Sequence, residues 1–372
     1  MPISAKILVI EMALFGKDDK DAGKSSDTVS SAPSYVGAIK LGTANSTITA
    51  GDKLIGTRSL VRKIYKSSAY ERSTKVPDII VGSTALDYEG LGELVYIVNK
   101  GVVKTKDAYY LVEYLFGHSK KYNQVEPSNL KIFAAAPSIA AENQKEELEE
   151  LLKEFAADVK VISEPLGSLI FHNWVTGVCA DIGHGTTDFT LIHQKLAVKD
   201  DMGEVVADTI PVGGRDIDFA IQQTLKRKYG VEVPLEECMR LKEQYCGPYY
   251  EHIVLGKELP ELAENVITEE GIAERIVIDH DVIMSVDVVV DHIARKVVEL
   301  IGKSPFSIRK HLYAAILLNG GVSSIKGLEI TLRKRVAEFA NLDLEGVNVV
   351  LSQDPLHASI LGAKKAADIV FG

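Results

Sequence analysis

The sequence runs to 372 residues, with 46% hydrophobic and 25% charged residues. That is ample for buried cores and too long for one average domain, so at least two domains are expected. The net charge of −10 disfavours nonspecific binding to nucleic acid or to an acidic membrane surface, and no nucleic-acid partner is expected. Cys179, Cys238 and Cys246 offer neither a disulfide framework nor zinc-site spacing, which suits a reducing cytoplasm.

In chain order, the first apolar run is Ala5–Phe15. It is shorter than the roughly 18 residues a span needs. A strand or edge element is the favoured reading, and a membrane-touching helix the alternative. Residues 17–34 are polar with Gly, Ser and Pro and read as an exposed loop. Tyr35–Ala50 reads as strand, Gly turn, strand, and 51–95 as a small insertion. Lys104–Phe116 has helical spacing of Ala108, Leu111, Val112 and Leu115. A strand at Lys131–Ala136, a helix through Phe155 with Leu148, Leu151 and Leu152 on one face, and a strand at Val159–Ile162 make a βαβ unit.

The pattern then restarts. Val175–Asp181 and Asp188–His193 are strands around a Gly-rich turn, and Lys195–Pro211 is a hairpin around Asp200. Gly213 and Gly214 open a helix that Gly230 closes; Val286–Ile301 is a helix ended by Gly302. Ala314–Leu318 is a buried strand, and a helix from about Ser359 to Val370 follows. A repeated strand–turn–strand element, each followed by α/β units, implies two related α/β halves with a cleft between them.

The sharpest motif is VCADIGHGTTDFT, residues 178–190. An apolar strand delivers Asp181 at its end, and Gly183 and Gly185 let backbone approach a ligand. Turn amides around His184 and the Thr186 and Thr187 hydroxyls suit phosphate oxygens. Asp181 suits Mg²⁺ held through waters, because that ion dehydrates reluctantly. The first copy has the turn Gly42-Thr43-Ala44-Asn45 but carries Lys40 where the second has Asp181. The third element, ILLNGGVSSIKGL, ends a strand in Gly320-Gly321-Val322-Ser323, with Ser323 placed to cap the next helix. Glu164 precedes Pro165 after a strand, where a solvated loop carboxylate is the ordinary fate.

These segments stand in the order of the actin, sugar-kinase and seventy-kilodalton heat-shock ATPase superfamily. From about residue 35 onward the chain looks most like the prokaryotic actins MreB and MamK. IKLGTANSTI and ADIGHGTTDF resemble the two phosphate loops, ISEPLGSLIF the segment with the catalytic Glu, IPVGGRDIDF the Gly-rich helix start, and ILLNGGVSSIKGL the adenosine motif. NKGVVKTKDAYYLVEYLF and DPLHASILGAKKA are similar to the two connecting segments.

The resemblance implies an actin-like α/β fold, two related domains around a nucleotide cleft, each with a smaller subdomain. The first half would comprise 1–50 and 96–175, with 51–95 inserted and the helix at about 354–372 packing back on it. The second would comprise 176–210 and 284–353, with 211–283 as its small subdomain. It also implies ATP or GTP with Mg²⁺ near Asp181, Glu164 polarising the attacking water, and Lys242 near the nucleotide. Two positions depart from the family: Lys40 replaces an Asp, and Met239 stands where a ribose-contacting Glu often lies.

The expectation is a cytoplasmic, filament-forming slow ATPase that pairs with itself. A non-filamentous nucleotide-binding assembly protein with hydrolysis lost is the alternative that Lys40 motivates. A sugar kinase or chaperone is the least favoured reading, because no sugar-side catalytic Asp is evident.

Overall fold

The computed structural model describes residues 35–51, 53–65, 77–88, 90–99, 102–103, 106–123, 125–140 and 142–372. The expected element at Ala5–Phe15, the loop at 17–34, part of the 51–95 insertion and the helix start at Lys104 lie outside the described residues. The chain divides into two units, Met1–Asn173 with Ser359–Gly372, and Trp174–Ala358.

Unit 1 is built on a sheet of β1 (Tyr35–Leu41), β2 (Asn45–Ala50), β3 (Leu54–Arg58), β4 (Leu130–Ala136) and β5 (Asp158–Ser163), in the order β5-β4-β1-β2-β3. β1 pairs with β2 antiparallel and with β4 parallel; β4 pairs with β5 parallel. Strand alternation sends Ile39, Leu41 and Ile132 to one face, against α1 (Ala108–Asn123) and α2 (Glu142–Lys153). Ala38, Phe133, Ala135 and Ile162 go to the other face, against the C-terminal helix Ala358–Phe371. α3 (Glu164–Phe171) follows β5 at once, with Pro165 in its first turn, where the missing N–H removes no helical bond. A smaller antiparallel sheet orders Ile79–Val81, Leu60–Lys63 and Glu93–Tyr96. β3, expected within the insertion, is instead the edge strand of the main sheet, because its ladder with β2 continues the first hairpin.

Unit 2 repeats this plan. β6 (Gly177–Ile182) pairs antiparallel with β7 (Thr187–His193) and parallel with β10 (Ile316–Asn319). β8 (Leu196–Ala197) and β9 (Ala207–Ile210) extend β7, and β11 (Val349–Leu351) pairs parallel with β10. In each unit, a hairpin's first strand has a parallel neighbour on its other side. The core runs from Val178, Ala180 and Ile182 to Ile217 and Ile221 of α4 (Gly214–Tyr229) and to Val290, Ile293 and Val297 of the helix Asp287–Lys303. Gly230 closes α4 at φ 72°, the left-handed conformation that glycine adopts freely.

Two further expectations are corrected. The Asp287–Lys303 helix runs through Gly302 and stops at Ser304, whose ψ of 156° is the extended state imposed on a residue before Pro305. Ser323 does not cap the next helix. It lies in a 3₁₀ turn (Gly321–Ser324) and donates to the Gly320 carbonyl at 2.7 Å, while Gly327 precedes the helix Leu328–Ala340.

α3 and the C-terminal helix cross at glycines. A Cβ on Gly167 would strike the Ser359 carbonyl, and one on Gly362 the Gly167 carbonyl. Gly362→Ala is therefore expected to lower unfolding free energy by about 2 kcal/mol or more, the overpacking range, read as a fall in urea midpoint with no change in slope.

Candidate functional site

In unit 2, the parallel register puts Asp181 level with Asn319 at the ends of β6 and β10. Both are buried. Asn319 Nδ2 donates to Asp181 Oδ2 at 2.7 Å. Asn319 Oδ1 has no hydrogen-bond partner among the described residues. The next residue, Gly320, has φ 85°, and a Cβ there would lie 2.6 Å from Asp181 Oδ1. Only glycine lets the chain turn away so close to the carboxylate. Its amide donates to the Pro355 carbonyl at 2.9 Å.

The hairpin after β6 closes through Gly183 N–H to the Thr186 carbonyl at 2.8 Å. Its outward carbonyls are held by α4: Gly214 N–H donates to Gly183 O at 3.0 Å and Arg215 N–H to His184 O at 2.7 Å. Gly213 N–H donates to Asp216 Oδ2 at 2.8 Å. The amides of Gly213 and Gly214 are thus engaged within the protein, and what these glycines supply is proximity. A Cβ on Gly213 would lie 2.7 Å from Gly183 O, and one on Gly214 would lie 3.1 Å from both Lys242 Nζ and Val322 Cγ2. Thr186 donates to Asp188 at 3.3 Å and Thr187 to the Val212 carbonyl at 2.7 Å. The structure thereby gathers Asp181, Gly183, His184, Gly213, Gly214, Lys242, Gly320 and Val322 around one hairpin. Gly185 and Thr186 are in its turn, and Gly321 and Ser323 flank Val322.

Lys242 enters from a π turn, Lys242–Cys246, between two helical segments. Such an insertion redirects side chains and recurs at functional sites. The ammonium donates to the Gly214 carbonyl at 3.0 Å and pairs with Asp218 Oδ1 at 2.7 Å. Burial pushes the Asp218 carboxyl up to about 6, against the lowering pull of Lys242. Cys238 and Cys246 nearby are pushed up to about 12 by burial, so neither offers a thiolate.

In unit 1, Gly42-Thr43-Ala44 forms the turn between β1 and β2, with Gly42 N–H donating to the Asn45 carbonyl at 3.2 Å. A Cβ on Gly42 would lie 2.6 Å from that carbonyl. Glu164, read as a loop carboxylate, is instead buried at the start of α3 and pairs through Oε2 with Lys40 Nζ at 2.5 Å. Lys40 also donates to Ser359 Oγ at 3.1 Å.

The family model described as MreB/Mbl protein matches residues 36–370. The chain belongs to the MreB/Mbl family. It is similar over 363 residues to actin-related protein 2 of Acanthamoeba castellanii, at 25% identity and 90% of each chain. With actin-related protein 2 of Drosophila melanogaster it shares 24% identity over 299 residues, 76% of this chain and 73% of that one. Among solved structures, a MamK double helical filament aligns at TM-score 0.74 and 19% identity, covering 90% of this chain and 99% of that chain. MreB5 of Spiroplasma citri bound to AMPPNP aligns at 0.72 and 20%, covering 92% and 98%. The fold is actin-like.

For this MreB/Mbl-family chain, Mg²⁺ is the implied metal, and the donors fit it. Among the described residues no group of three or more His, Cys, Asp or Glu forms a metal cage. A buried carboxylate beside an orphaned amide oxygen suits an ion that keeps its waters, since both oxygens accept from water. Asn319 and Asp218 were not singled out from the sequence. A polar residue ending an apolar strand beside Gly-Gly, and an acid four residues into a Gly-Gly helix start, were the available signals.

The Asp218 carboxyl lies above its ordinary 3.8. The folded state therefore holds the extra proton, and this group's contribution to stability falls as pH rises from about 4 through about 6. Lys242→Met removes the opposing cation and moves that loss to higher pH. The expected outcome is about 3 kcal/mol or more of destabilisation at neutral pH, larger at about pH 8 than at about pH 6, and relieved by adding Asp218→Asn. Urea midpoints across that range check it.

Proposed function

We propose that this chain is a cytoskeletal actin-like protein that binds ATP or GTP with Mg²⁺, assembles with itself into filaments and hydrolyses the nucleotide slowly. The observation that carries the reading is the buried Asp181–Asn319 pair under a glycine hairpin, with one amide oxygen left for a donor. MamK, structurally similar, forms a double helical filament, and MreB5 of Spiroplasma citri has been captured with AMPPNP and with ADP.

In this reading the Gly183–Thr187 hairpin and the Gly42–Asn45 turn hold the phosphates through backbone amides. The Thr186 and Thr187 hydroxyls, expected from the sequence to bind phosphate, instead give their protons to Asp188 and to the Val212 carbonyl and brace the hairpin. Gly320–Ser323 offers flat backbone to the base, and Lys242 keeps the Gly213–Gly214 helix start against the hairpin. Glu164 accepts a hydrogen bond from the attacking water and orients it. Asp181 and Asn319 are the residues that would hold Mg²⁺, and the ion would supply neutralisation of phosphate charge. Positioning supplies most of the rate, so slow turnover is natural. Nucleotide favours one conformation of the chain, and that conformer polymerises better. The smaller subdomains are proposed around the small sheet that begins at Leu60 and ends at Tyr96, and at 211–283. No helix among the described residues is long and apolar enough to cross a membrane, and the reading places the filaments in the cytoplasm.

A second reading, a non-filamentous nucleotide-binding assembly protein with weak hydrolysis, is favoured by one observation: Glu164 is already paired with Lys40.

Sedimentation and electron microscopy with and without ATP and Mg²⁺ decide between them. Filaments that require nucleotide are expected. A chain that stays monomeric at about 50 µM, well above the micromolar range of ordinary weak interfaces, in every nucleotide state supports the second reading. Asp181→Asn is expected to weaken nucleotide binding at least about tenfold, roughly 1.4 kcal/mol, and chelating the divalent cation should do the same to the native chain. Unchanged affinity in both experiments removes the metal role of Asp181.

A further inference from the structure

Unit 1 carries a cation in contact with the carboxylate to which hydrolysis is assigned. Lys40 on β1 is level with Ala135 on β4, which is level with Ile162 on β5. Glu164 comes two residues after Ile162. The lysine therefore reaches across an intervening strand, two spacings of about 4.8 Å each. Ala135, the residue of that strand on the same face, is small enough to leave the path open. The ammonium meets Glu164 Oε2 at 2.5 Å, with the two side chains only 16% and 10% exposed. Shielded pairs of this kind are screened far less than surface ion pairs.

The position has an electrostatic cost. Lys40 also hydrogen-bonds Ser359 Oγ in the first turn of the C-terminal helix. A helix start disfavours a cation. Glu164 offsets that cost, which binds the two residues into one unit.

We propose that Lys40 is a brake on hydrolysis, a positioning residue that holds Glu164 in an ion pair in competition with the water the carboxylate must orient. This deepens the nucleotide-hydrolase reading and rests on it. The ion pair fixes the carboxylate in one direction and occupies one of its oxygens. The rival anion is the nucleotide's phosphate chain. Lys40 Cε lies 3.9 Å from where a Cβ on Gly42 would sit, so the same side chain borders the turn assigned to phosphate. A phosphate there draws on the lysine's charge, and Lys40 adds to nucleotide affinity while it restrains turnover. The signature is a split: loss of the charge weakens binding and speeds the chemical step.

The test uses the full chain with Mg²⁺, titrating a fluorescent ATP analogue for binding and measuring phosphate release for turnover. Native, Lys40→Met, Lys40→Gln, Lys40→Arg, Glu164→Gln and the Lys40→Met/Glu164→Gln double variant are compared. Lys40→Met is expected to raise kcat about tenfold, a modest part of what a freed general base supplies, and to weaken analogue binding about threefold to tenfold. Lys40→Gln, which is uncharged and one bond too short to reach Glu164 across the intervening strand, should behave the same way and serves if the Met variant folds poorly. Lys40→Arg, which keeps the charge with a different donor geometry, should raise kcat less than Lys40→Met does. Glu164→Gln should suppress phosphate release, and adding Lys40→Met should restore none of it. A Lys40→Met or Lys40→Gln chain that binds the analogue yet turns over no faster than native overturns the brake and leaves the nucleotide reading intact. A double variant as fast as Lys40→Met shows that the effect does not pass through Glu164 and also overturns it. A native chain that binds no analogue removes the nucleotide reading, and the brake with it.

Discussion

The Asn319-to-Asp181 hydrogen bond is the constraint around which unit 2 is arranged. It exists because the parallel register sets Asp181, the last residue but one of β6, level with Asn319, the last residue of β10, each after an apolar run. Burying a carboxylate costs several kcal/mol unless donors meet it, and Asn319 is one such donor. The arrangement then dictates its surroundings. Gly320 must take a left-handed turn to clear Asp181, and the hairpin beyond Ile182 must stay tight. α4 must approach without side chains at its start, because its first amides bond the hairpin's carbonyls. Three glycine sites far apart in sequence thus answer to one packing problem.

Unit 1 solves the corresponding problem with opposite charge. Its hairpin has the same topology, and Lys40 occupies β1 one residue before the strand's end, as Asp181 does in β6. The neighbouring parallel strand makes the difference. Asn319 lies beside Asp181, whereas Ala135 lies beside Lys40. An alanine cannot satisfy an ammonium, so the lysine passes over it to a carboxylate one strand further on. The duplicated fold therefore carries two different electrostatic settings, one arranged to accept hydrogen bonds and one with its charge already balanced.

The architecture was legible because its signals are local and periodic. Apolar strands around Gly-Thr turns, the stripe of Leu111, Val112 and Leu115, and Gly213–Gly214 before an amphipathic helix each announce one element. Less legible was anything decided by a distant neighbour. Glu164 reads as an exposed loop residue until β1 supplies Lys40. Asn319 reads as the end of a strand until β6 arrives beside it. Gly302 reads as a helix stop, but a single glycine costs a helix only about 1 kcal/mol, and the Ser304–Pro305 pair was the stronger signal. Ser323 reads as a cap, yet Gly320's left-handed turn folds the segment into a 3₁₀ turn before any helix can begin.

The Lys242–Asp218 pair shows why a site of this kind tolerates an ion pair that packing alone would not select. An apolar pair of similar volume is often as stable as a buried ion pair or more so, and burial alone drives the Asp218 carboxyl upward. The pair's contribution is directional. Lys242 donates to the Gly214 carbonyl while bound to Asp218, one turn along the same helix. An apolar side chain would fill the space but could not fix the rotation of α4 about its axis. That rotation decides whether Gly214 and Arg215 present their amides to the hairpin carbonyls. The π turn supplies the remaining requirement, since the extra residue it inserts brings Lys242 inward without displacing the helices on either side. Stability is given up locally so that the hairpin above Asp181 is held in one geometry.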